Sequence, residues 1–175
     1  MAKAGKIPYV DAISSIALPK TWAGASLIRW KSTGGKGSPA AHKCRIPLSV
    51  NNVVQEGLFV DLFYKYSGIA GLPDKVCMAF VAHNARLMAL DENGPSQHVN
   101  VVGKQMPFYG KVADHPHLHF PVEEASSGYA EPIDRQAIGQ LWRLFLERAN
   151  INEAPTFTLP PKGPQQDESG QMDLL

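Results

Sequence analysis

Residues 98–131 read HVNVVGKQMPFYGKVADHPHLHFPVEEASSGYAE and hold four of the chain's six histidines, His98, His115, His117 and His119. In an extended strand successive side chains point to opposite faces. The spacing therefore predicts a strand with His115, His117 and His119 on one face and Leu118, Phe120 and Val122 on the other. The run His98-Val99-Asn100 predicts a second strand of the same kind, with His98 and Asn100 on one face and Val99 and Val101 opposite. Two strands, each apolar behind and polar in front, describe two walls of a site.

Working outward, residues 57–67 (GLFVDLFYKYS) are the strongest strand pattern. Leu58, Val60, Leu62, Tyr64 and Tyr66 alternate with Phe59, Asp61, Phe63 and Lys65. Further strands are expected at 25–31, 42–50, 75–82 and 86–91. Pro47 marks an edge or a bulge, because proline has no N–H for a ladder. His83-Asn84 and the run 92–97, with its Asn-Gly and Gly-Pro steps, read as turns. Residues 123–132 read as a loop. Between Pro8 and Pro19, Val10, Ile13, Ile16 and Ala17 sit at helical spacing and suggest a short helix. Over 134–149, Ile138, Leu141, Trp142, Phe145 and Leu146 form an apolar helical stripe. Asp134 is its expected N-cap, and Ile133 with Ile138 its staple.

The expected fold is α+β: an antiparallel sheet of about six strands from 25 to 122, with the 134–149 helix on one face and the histidines on the other. The expected organisation is an N-terminal segment (1–24), one domain (25–152) and a flexible tail (153–175). The tail is rich in Pro, Gln, Gly and Asp.

At 175 residues, 44% hydrophobic and 19% charged, the chain suits one globular core. A net charge of +1 gives no overall field selecting nucleic acid or membrane, though a local basic patch remains compatible with it. Cys44 and Cys77 form no CxxC, which excludes a structural zinc site built on cysteine. The start, MAKAGKIPYV, has no long apolar run, and no stretch reaches membrane-spanning length. A cytoplasmic protein is expected. The glycine-rich loop around Lys36 lacks the phosphate-loop order, and neither GxSxG nor HExxH occurs.

Three readings of the histidines follow. They are a polar strand face without chemistry. Alternatively His117 and His119 chelate a divalent metal (Zn, Mn or Ni) together with His98 or a carboxylate, Asp91 or Glu123. In the third, no metal binds: one histidine acts as base and another as acid, while Asn100 or an arginine stabilises developing charge.

Three resemblances add to this. His117-Leu-His119 followed by Glu123 resembles the first half of the cupin metal motif, but no histidine follows His119 to supply the second half. The segments RLMALDENGPSQHVN, PHLHF, GYAEPI and FLERANI, in that order, resemble a family of uncharacterised prokaryotic and phage proteins. That resemblance implies that His98, Asn100, His117 and His119 form one set. The last five residues, Gln171, Met172, Asp173, Leu174 and Leu175, resemble the peptide by which bacterial proteins dock on the DNA sliding clamp. Together these imply a small bacterial, phage or plasmid protein acting on or near nucleic acid, nuclease-like or a metal-dependent hydrolase, tethered to the clamp. The alternative is a non-enzymatic clamp-binding protein with structural histidines.

Overall fold

The computed structural model describes residues 7–33, 39–94 and 98–162. Helix α1 (Tyr9–Ala17) leads into β1 (Lys20–Trp22), followed by β2 (Lys31–Ser32). Four longer strands come next: β3 (Ala41–Val50), β4 (Val53–Lys65), β5 (Lys75–Ala82) and β6 (Ala85–Asp91). β7 (His98–Val99) and β8 (Val112–Ala113) form a separate two-stranded ribbon. β9 (His117–Val122), β10 (Ala125–Pro132), α2 (Ile138–Arg148) and β11 (Ile151–Asn152) complete the order.

The main sheet runs β10-β9-β6-β5-β4-β3-β1-β11, with β2 beside β3. All its pairings are antiparallel except β1 with β11, so the α+β architecture stands but the sheet is mixed and larger than expected. It curls: α1, joined to β1 near one end, packs against β6, β9 and β10 near the other.

Register sorts the two faces. Leu62, Met78, Leu90 and Leu118 lie side by side across β4, β5, β6 and β9, all buried. They join Leu141, Trp142 and Phe145 of α2 in one core. Full burial of such side chains stabilises by about 1.5–3 kcal/mol each. One residue out of phase, Cys77, Asp91 and His117 form an opposite-face row, with Ala79, Ala89 and His119 beside it.

Several expectations need correction. Residues 25–30 are not a strand, and only Lys31–Ser32 pairs. The expected loop at 123–132 is mostly β10, which carries a bulge between Ala125 and Tyr129 and a left-handed Gly128 (φ +100°). That irregularity breaks the alternation that signals a strand. Helix α2 begins at Ile138 rather than at Asp134. Ile133 N–H still donates to Pro116 C=O, continuing the sheet bonding, and the Gln140 side chain instead accepts from Ala137 N–H. In α1 the buried residue is Ala12, whereas Val10 and Ile13 face outward. The segment 1–24 is not separate, since Ala12 and Trp22 belong to the core. Nor does a tail begin at 153. Pro155, Thr158 and Pro160 accept hydrogen bonds from Trp142, Trp30 and Tyr66, and Phe157 packs between the two tryptophans. The aromatic partners lie far away in sequence, so local composition did not reveal them.

Lys20 is 1% exposed, and burial lowers its pKa to about 8. Its Nζ donates to the carbonyls of Ser15, Ile16 and Leu18 at 2.9, 2.9 and 2.5 Å, closing the end of α1. Lys20→Met keeps the stem but leaves those acceptors without their donor. It should cost about 2 kcal/mol, read as a lower urea midpoint with an unchanged slope.

Candidate metal centre

β9 delivers His117 and His119 to the outer face because they are two residues apart on a strand. β6 brings Asp91 opposite His117. The three donor atoms converge. His117 Nε2 lies 3.0 Å from His119 Nε2, and Asp91 Oδ2 lies 3.2 Å from His119 Nε2 and 3.7 Å from His117 Nε2. Ligands about 2.0–2.1 Å from a tetrahedral ion stand about 3.3 Å apart, so the triangle has the size of one face of such a shell.

The surroundings orient the donors. His117 Nδ1–H donates to Asp114 C=O at 3.2 Å, which turns the Nε2 lone pair toward the centre. Burial lowers the pKa of His119, outweighing the pull of Asp91, so its ring is neutral near pH 7. Burial alone would raise Asp91, but the polar groups around it, His117 and His119 first, hold its carboxyl well below the usual range. Arg86 Nη1 stands 4.0 Å from Asp91 Oδ2. Burial and the Asp91 charge push the Cys77 thiol up to about 12, so it remains protonated beside the centre.

The histidine face is not left open. His98 of β7 packs over it, its ring centroid 5.9 Å from that of His117 and 4.7 Å from that of His119, and His117 and His119 are 2% and 8% exposed. Asn100 fastens this cover. Its Oδ1 accepts from Ala130 N–H at 2.7 Å, and its Nδ2 donates to Ala130 C=O at 2.8 Å and Phe108 C=O at 3.0 Å. The amide thus acts as a peptide group paired to the free edge of β10. His98 Nε2 lies 3.1 Å from both Asn100 Oδ1 and Gly128 C=O. Both are acceptors, so Nε2 carries the proton.

Of the sequence candidates, the fold thus brings Asp91, His117 and His119 into one donor set. His98 touches it, its ring centroid 4.7 Å from that of His119, but contributes no nitrogen to the set. Asn100 has all its hydrogen-bonding capacity in use, which leaves none for developing charge. His115 precedes β9 through a cis bond to Pro116 and stacks 4.4 Å from His117. Glu123 is exposed at the β9–β10 turn. Residues 171–175 lie outside the described residues. Arg86 was missed, because its place beside Asp91 depends on a β5–β6 bulge with no clear sequence signal.

A cavity of ≈ 780 Å³ lies at the β3–β4 and β5–β6 turns and contains Ser15 and His83, 3.1 Å apart. Ser15 Oγ–H already donates to Asp11 C=O, so His83 donates to Ser15 and does not activate it. Comparison with family models, curated proteins and solved structures returned no match.

Asn100→Ala removes the donor and acceptor serving Ala130. It should destabilise by roughly 2–3 kcal/mol and speed hydrogen exchange over residues 98–113 more than in the core strands. Equal exchange in both regions would rule out the fastening role.

Proposed function

We propose that the protein is a metal-dependent hydrolase in which Asp91, His117 and His119 hold one divalent ion. The observation that carries this reading is the donor triangle, with edges of 3.0, 3.2 and 3.7 Å. Zinc is the ion favoured by two imidazoles and a carboxylate. Such an ion polarises a bound substrate and lowers the pKa of water to about 7. Arg86, half exposed next to Asp91, is placed to orient an anionic group. Access is from the Asp91 side, the most exposed of the three side chains. His98 and Asn100 hold the cover in place and do not take part in the chemistry.

The same donor set also supports a second reading. Two histidines and one carboxylate with open positions bind iron(II) in oxygen-using enzymes. Metal content separates the two. Protein purified without added metal should carry about one equivalent of zinc by mass spectrometry. One equivalent of iron in its place favours the oxygen chemistry. Neither metal, with no response to added ions, leaves the non-enzymatic reading.

Zinc at about 100 times its Kd adds about 2.7 kcal/mol, raising the melting midpoint by about 5–10 °C in a chain of this size. His117→Ala and His119→Ala should abolish that rise, whereas His98→Ala should keep it. Loss in His98→Ala alone would move the ligand set.

The peptide Gln171–Leu175 supports a tether to a bacterial sliding clamp, with Met172, Leu174 and Leu175 filling apolar pockets. Deleting residues 171–175 should abolish binding to a purified clamp in a titration. Absence of binding by the full chain at about 50 μM, weaker than specific peptide docking, would remove the tether.

A further inference from the structure

Beside the metal centre, the outer face continues across β5, β4 and β3. A row runs from His119 through Ala89 and Ala79 to Asp61. Ala79 lines a groove on this face, while Ala89, 0% exposed, is buried between Ala79 and His119. The groove there has a volume of ≈ 460 Å³ and is lined by Lys43, Arg45, Asp61, Phe63, Cys77 and Ala79. Cys77 is the cross-strand partner of Asp91, so groove and metal centre are neighbours.

The charge on this face is unlike that of the whole chain. Lys31, Lys43, Arg45, Lys65, Lys75 and Arg86 all lie on it by strand register. Asp61 is taken by Arg45 at 2.7 Å, and Asp91 by the histidines. Among the described residues no carboxylate pairs with Lys31, Lys43, Lys65 or Lys75. Two of the cross-strand pairs are like-charged, Lys31 with Lys43 and Lys65 with Lys75. Like charges directly opposite destabilise a sheet. A polyanion lying across the face removes that repulsion.

The aromatic residues narrow the class. Phe59 and Phe63 are half-buried on this same face, four residues apart on β4. The Arg45 guanidinium lies 3.9 Å over Phe59, and Lys75 Nζ lies 5.8 Å from Phe63. Cations interleaved with aromatic rings on an open sheet suit unpaired bases on a phosphodiester backbone. At Ala79 the flanking i±2 side chains stand about 13 Å apart, four residues at about 3.3 Å each, narrower than a duplex.

We propose that this face binds single-stranded nucleic acid and leads it to the Asp91–His117–His119 centre. The proposal deepens the hydrolase reading and rests on it for the fate of the strand, but not for its binding. The test is fluorescence anisotropy with labelled single-stranded DNA and RNA oligonucleotides, using the intact protein and the His117→Ala/His119→Ala variant. Both proteins should bind in the micromolar range at low salt, with affinity falling as salt rises. Lys43→Glu/Lys75→Glu should weaken binding at least tenfold, as should Ala79→Leu, which fills the groove without changing charge. Arg143→Glu/Arg148→Glu, the same charge change on α2, should leave binding within about twofold, the size of a long-range screened effect.

No binding, tighter binding of duplex, or equal loss in the α2 pair would overturn the proposal. Binding by a protein that takes up no metal keeps the groove and removes the hydrolase. Metal uptake without strand binding does the reverse.

Discussion

The site depends on the pairing of Asn100 with Ala130. β10 is the edge of the sheet, and an unpaired edge exposes backbone donors and acceptors. Asn100 supplies one amide at the position where another strand would supply a peptide group. The same amide fixes the His98 tautomer and ties down Phe108. One side chain thus turns a solvent-facing strand into the floor of a covered site. Two histidines and an aspartate in contact gain strength from that exclusion of water, because their interactions act at lower effective dielectric.

Burial sets opposing demands on the three donors. A buried carboxylate is costly unless partnered, and a buried imidazole prefers to be neutral. With neutral rings and no ion, one proton on His119 Nε2 would be shared between Asp91 Oδ2 and His117 Nε2. With a cation, all three lone pairs have a common partner. His117 Nδ1 is committed to Asp114 C=O, so its Nε2 has no proton to offer while the ring is neutral. A proton on His119 Nε2 satisfies the three groups without an ion, and a divalent ion that displaced it would take up all three lone pairs.

Much of this was legible in period-two alternation. The even residues of β4 and the HLH run give the core row and the donor pair directly, because strand geometry alone decides which face a side chain takes. The choice of Asp91 over Glu123 was not legible. It depends on β6, not a strand nearer in sequence, lying beside β9. The role of Asn100 was read as chemical because a polar residue beside histidines looks like a reacting group. Its partners are backbone atoms of a strand whose bulge hid it from the alternation test. The burial of 154–160 was invisible for a related reason: prolines and polar residues there are held by indole and phenol groups more than ten residues away.

The two faces of the sheet also divide the physical work. The inner rows carry leucine, methionine and valine against α2, where the requirement is volume and exclusion of water. The outer rows carry charge, small residues and half-buried rings, a combination that adds little packing and keeps lysines opposite lysines. A sheet selected only for stability has simple remedies for such pairs, since replacing one member by glutamate or threonine converts repulsion into attraction or removes it. Their presence on the face that adjoins the donor triangle, and the steep division of charge in a chain whose net charge is only +1, follow from one assumption. The charge that balances these lysines comes from outside the chain. The register that stacks the core therefore also aligns the lysines, the alanine row and the three donors, and a one-residue slip in β5 or β6 would destroy all of them together.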